Sequence, residues 1–167
     1  MTDLIDIMIE DPRWTPTGFE DLARDVVRFC LLEMDLPVER CEVSILACDD
    51  ARIKVLNADF REKDAATNVL SWPAEDLQPE EEGGRPSSPE PFLPDGDIEL
   101  GDIAISYDTM EKEARAAGKP LTDHVTHLLL HGVLHLLGYD HITDKDATVM
   151  EAIEIRLLGK RGIESPY

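Results

Sequence analysis

Five histidines, His124, His127, His131, His135 and His141, fall in one short window of a 167-residue chain. Their spacing suits a transition-metal ion. His131 and His135 are four residues apart, so on a helix their rings lie about 40° apart around the axis and one turn along it. Gly138 supplies a left-handed helix stop, and His141 can swing back through Tyr139 and Asp140 as a third ligand. Three neutral imidazoles leave one tetrahedral position for water, the pattern of a catalytic zinc site. A zinc protease would carry Glu immediately after the first histidine; this chain has Gly132. The donor set thus lacks the usual carboxylate base. His127 shares the helix face and reads as a residue behind a ligand or in the cleft. His124 reads equally as a surface residue.

The element that carries these rings is apolar nearly all round: Val125, Leu128, Leu129, Leu130, Val133, Leu134, Leu136 and Leu137 surround them. That pattern predicts a buried helix, with Thr122 as its cap. Upstream, Leu4–Ile9 alternates as a strand. A helix follows, with Thr17 as N-cap and Glu20 as capping-box partner. Cys41–Cys48 reads as a second strand, and Asp49-Asp50 opens a helix. Asn68–Trp72 and Leu100–Ser106 complete four strands. Tyr107–Ala117 and about Asp144–Leu158 read as helices, the last ending at Gly159. The whole is an α+β domain, about four strands in a mixed sheet with packed helices. Residues 74–95 are rich in Pro, Glu, Gly and Ser, and read as a mobile insertion in a hairpin or crossover.

The length fits one domain with a proper core. Three cysteines without a Cys-x-x-Cys pair suit free thiols in a reducing cytosol. The first ten residues lack the basic region of a signal peptide, and histidines interrupt the longest leucine-rich stretch, which excludes a membrane span. The net charge of −20 argues against a general nucleic-acid binder. Much of the acid clusters between Glu75 and Asp97, however, and Arg52, Lys54, Arg61 and Lys63 form a locally basic stretch.

The run His131-Gly-Val-Leu-His135-Leu-Leu-Gly-Tyr-Asp-His141 resembles the signature of the bacterial YbeY family of endoribonucleases and rRNA maturation factors. Two further blocks agree: Leu56 to Pro73, containing Arg61-Glu-Lys63-Asp and Thr67-Asn68-Val-Leu-Ser71-Trp-Pro, and Leu100-Gly-Asp-Ile-Ala-Ile-Ser106. The resemblance runs from about residue 43 to 158. Trp72 stands where the family has Phe, Ala66 where Pro is common, and residues 74–95 are longer and more acidic. The resemblance implies a zincin-like fold and one zinc ion on His131, His135 and His141. It also implies cleavage of single-stranded RNA in the cytoplasm, in maturation of the 16S rRNA 3′ end and ribosome quality control. Partners would be the small ribosomal subunit or its assembly proteins.

The resemblance singles out Arg61, and on that ground Arg61 and His131 are the residues expected to carry catalysis. The planar, always-charged fork of Arg61 can grip two phosphate oxygens; the competing role is a salt bridge to Asp59, Glu62 or Asp64. A metal-activated hydroxide and the RNA 2′-OH both stand as nucleophiles, with Asp140 and His127 as candidate proton handlers. Thr67, Asn68 and Ser71 can line the cleft or satisfy a strand edge. Three imidazoles also accept nickel or copper. Two rival functions remain: a ribosome-assembly factor with a structural zinc, and a metallopeptidase, against which Gly132 counts.

Overall fold

The computed structural model describes residues 3–91 and 93–167. Four strands, β1 (Leu4–Ile9), β2 (Cys41–Cys48), β3 (Val69–Pro73) and β4 (Ile98–Ser106), form one sheet in the order β1-β2-β4-β3. β1 and β4 run parallel to β2, and β3 runs antiparallel to β4, so the sheet is mixed as the sequence predicts. Parallel neighbours need a crossover, and helix α1 (Phe19–Glu33) supplies it between β1 and β2. Helix α2 (Asp50–Arg61) leads from β2 toward β3; α3 (Tyr107–Ala117), α4 (Leu121–Leu136) and α5 (Asp144–Lys160) follow β4.

Side-chain alternation divides the sheet between two cores. Val43, Ile45 and Ala47 of β2, with Ile103 and Ile105 of β4, join the main core against α1, α4 and α5. Ala104, Cys48 and Leu70 point the other way and meet Ile53 of α2. The histidine helix is buried as its composition requires: Leu128, Leu129, Leu130, Val133, Leu134 and Leu136 lie at or below 4% exposure. Each such side chain is worth roughly 1.5–3 kcal/mol on transfer from water. Cys30, Cys41 and Cys48 are free and buried, and burial raises their thiols to about 12, 11 and 12 respectively.

Helix ends depart from the sequence reading in three places. α1 begins after Gly18, in the left-handed region at φ 73°, and the Thr17 hydroxyl instead donates to Trp14 O. α4 begins after Pro120, placing Thr122 inside the helix. α5 runs through Gly159 to Lys160. Asp49 caps α2 as expected, accepting from Arg52 N–H.

Because β3 and β4 are antiparallel neighbours, residues 74–97 are a long hairpin connection. It has several attachments. Leu77 is buried, Gln78 Nε2 donates to Asp140 Oδ2 at 3.0 Å, and Gly83 N–H donates to Asp146 Oδ1 at 2.8 Å. No helix among the described residues is long and apolar enough to cross a membrane.

Candidate metal centre

The last two turns of α4 present His131 and His135, and a tight turn returns the chain to His141. Gly138 makes this turn at φ 101°, and a Cβ there would lie 2.6 Å from Leu77 O. Tyr139 N–H donates back to Leu134 O at 3.0 Å, closing the helix end. One nitrogen from each of His131, His135 and His141 lies within 4.8 Å of the others. The His131 and His141 rings stack at 5.2 Å between centroids, and His135 stands edge-on to His141 at 5.1 Å.

Hydrogen bonding orients the first two rings. His131 Nδ1 is 2.7 Å from Glu154 Oε1, and His135 Nδ1 is 2.9 Å from Tyr139 O. A carbonyl accepts only. Glu154 also accepts: burial opposes its charge, but His127, His131 and Tyr167 outweigh it and hold the carboxyl at about 2. Both Nδ1 atoms therefore donate. In the neutral form of each ring Nε2 then carries a bare lone pair, and the two Nε2 atoms are only 2.9 Å apart. Burial, reinforced by His131, lowers His135 to about 4, so this ring is neutral at neutral pH. Two facing lone pairs with a third imidazole beside them fit a divalent cation. The donors are borderline-soft nitrogens, which suit zinc, copper or nickel better than calcium or magnesium.

Glu154 is the residue that sequence reasoning missed. It is fully buried on α5, among Met150, Leu157 and Leu158. An acid in the apolar stripe of a helix was the available signal. Its partner, Tyr167, donates a hydrogen bond to Oε2 at 2.5 Å.

The other predicted residues separate into distinct environments. Arg61, Lys63, Thr67, Asn68 and Ser71 line the same cleft, of about 640 Å³, as His131, His135, Asp140 and His141. Arg61 makes no ion pair with Asp59, Glu62 or Asp64; its guanidinium donates to Ser71 O. Asn68 reaches the cleft, but its Nδ2 donates to Glu113 at 3.0 Å. Asp140 accepts from His141 N–H at 2.7 Å and lies 3.9 Å from His135 Nδ1, so it holds the turn. His127 Nε2 lies 3.4 Å from Glu154 Oε1, behind His131. His124 pairs with Glu113 at 2.9 Å. The predicted basic stretch is divided: Arg52 faces Glu10 and Lys54 faces Asp64, leaving Arg61 and Lys63 at the cleft.

Gly132 has a structural cause. A Cβ there would approach the Ile103 side chain at 3.2 to 3.5 Å, because α4 packs directly on β4. The position that holds a protease glutamate faces the sheet and has no room for one.

The family model described as Endoribonuclease YbeY matches residues 6–162. A relative named Endoribonuclease YbeY from Ruegeria pomeroyi is 58% identical over 163 residues, covering 98% of this chain and 97% of its own. One of the same name from Cereibacter sphaeroides is 48% identical over 167 residues, the full length of both. The solution structure of TM1509 from Thermotoga maritima superposes with a TM-score of 0.52 at 18% identity. It covers 95% of this chain and 91% of that one, and supports the fold.

Proposed function

The chain belongs to the Endoribonuclease YbeY family, and from that premise we propose that it is a zinc-dependent hydrolase cutting single-stranded RNA. We place its work in the cytoplasm, in maturation of the 16S rRNA 3′ end and ribosome quality control, on or near the small subunit. The domain spans residues 1–167, with residues 74–95 as an acidic, Pro-rich insertion that places Gln78 at the cleft. His131, His135 and His141 would hold the ion, with His131 and Arg61 carrying catalysis. The observation that supports this most is the sharing of one cleft by three convergent imidazoles and the Arg61 guanidinium.

When bound, the ion supplies Lewis acidity to a phosphoryl oxygen and lowers the pKa of water. The chain's own groups do the rest. Arg61 can meet the negative charge that grows on phosphorus-bound oxygens. Glu154 and Tyr139 O fix the tautomers of His131 and His135. Asp140 shapes the turn, and Thr67 and Ser71 border the path of the strand. Peptide hydrolysis is disfavoured by the packing of Gly132 on Ile103.

Two measurements test this reading. Elemental analysis should find one zinc per wild-type chain and none in His135→Ala; equal content would remove the ligand assignment. Cleavage of a single-stranded RNA should fall by roughly 10²–10³-fold in Arg61→Ala, with casein untouched by either protein. The charge of −20 favours a second reading, a ribosome-assembly factor whose RNA affinity comes from a protein partner. A metal-free, folded variant that still supported ribosome assembly would point there.

A further inference from the structure

Among the described residues only two carboxylates are buried, Asp11 and Glu154. Arg13 answers Asp11 at 2.6 Å. No Lys or Arg lies within ion-pair distance of Glu154 among the described residues; its partners are His127, His131 and Tyr167. Its two oxygens have separate duties. Oε1 accepts from His131 Nδ1 at 2.7 Å, and Oε2 accepts from the Tyr167 hydroxyl at 2.5 Å. The terminal torsion of a glutamate is broad, so one hydrogen bond alone would let the carboxylate plane swing. The second bond fixes it. The Tyr167 ring also stands edge-on to His127, 5.9 Å between centroids at 89°. Yet the residue as a whole is 59% exposed, so truncating it removes little core.

We propose that Tyr167 is a positioning residue for the metal centre: its hydroxyl fixes the Glu154 carboxylate so that Oε1 holds His131 Nδ1–H and His131 Nε2 is left as the ligand. The proposal rests on the reading of His131 as a metal ligand. It connects the segment beyond α5 to the metal centre, two hydrogen bonds away. Partners that orient ligating imidazoles typically influence metal affinity by 10–100-fold. Tyr167 acts one step further out, so its effect belongs at the lower end.

The test compares wild type, Tyr167→Phe and Tyr167→Leu, each shown folded by circular dichroism. Zinc affinity is read by competition with a chromophoric chelator. The hydrogen-bonded His131 Nδ1 proton is read by NMR in the metal-free protein. Tyr167→Phe should bind zinc about tenfold more weakly, with the Nδ1 proton signal shifted or lost to exchange, and Tyr167→Leu should match it within about twofold. Wild-type affinity and an unchanged signal in Tyr167→Phe would overturn the proposal. Loss in Tyr167→Leu alone would also overturn it, by assigning the effect to ring packing on His127. If wild type took up no zinc, the metal reading would fail, and the NMR comparison would decide by itself whether Tyr167 holds Glu154.

Discussion

His131 and His135 were legible in the sequence because one helical turn brings them together without help from the rest of the chain. His141 was legible because a glycine turn follows at once. Glu154 and Tyr167 were not, since Glu154 reaches His131, and Tyr167 reaches Glu154, only after α5 packs back on α4. The ring cluster itself produces a pH response. Burial, then the neighbouring His131, holds His135 at about 4 against an ordinary 6.5. From about pH 6.5 down to 4 the unfolded chain takes up a proton that the folded ring refuses. The metal-free protein should therefore lose stability as pH falls through that window, by up to about 1.4 kcal/mol per pH unit. Urea unfolding of metal-free wild type and His135→Gln at pH 7 and pH 5 checks this. The slope should be present in wild type and weaker in the variant; equal slopes would assign it elsewhere.

At the scale of elements, four strands and five α-helices follow the apolar periodicity, whereas helix starts follow backbone geometry. Thr17 and Thr122 have good capping side chains, but Gly18 at positive φ and Pro120 take those positions. The seam between α4 and β4 gives a sharper test. Gly132→Ala gains about 1 kcal/mol of helix propensity but pushes a methyl against Ile103, itself 1% exposed, at 3.2 Å. Overpacking of this kind costs about 1–3 kcal/mol, so net destabilisation of about 1 kcal/mol is expected, with partial recovery in Gly132→Ala/Ile103→Val. Gly138→Ala should be worse, by about 3 kcal/mol, because it meets the Leu77 backbone at positive φ. Thermal melts of the three proteins rank these effects; a Gly138→Ala protein as stable as wild type would show that the turn can relax.

For the whole molecule, the charge of −20 and a cleft lined by Arg61 and Lys63, which form no ion pair among the described residues, set opposite electrostatic terms against each other. Two phosphate contacts on a single strand imply a slope of log affinity against log salt near −1.4, and Arg61→Ala should bring it near −0.7. Fluorescence anisotropy over a salt series measures both; a slope steeper than −3 in wild type would require basic contacts beyond Arg61 and Lys63. The placement of the thiols gives the molecule a further use. Cys30 and Cys41 sit in the main core and Cys48 in the smaller core under α2, all three at 0% exposure. A thiol reagent can label them only when the surrounding structure opens. Mass spectrometry of the labelling order would thus time the two cores independently: simultaneous capture means that they unfold as one cooperative unit, and early capture of Cys48 means that α2, the helix that ends in Arg61, lifts from the sheet first.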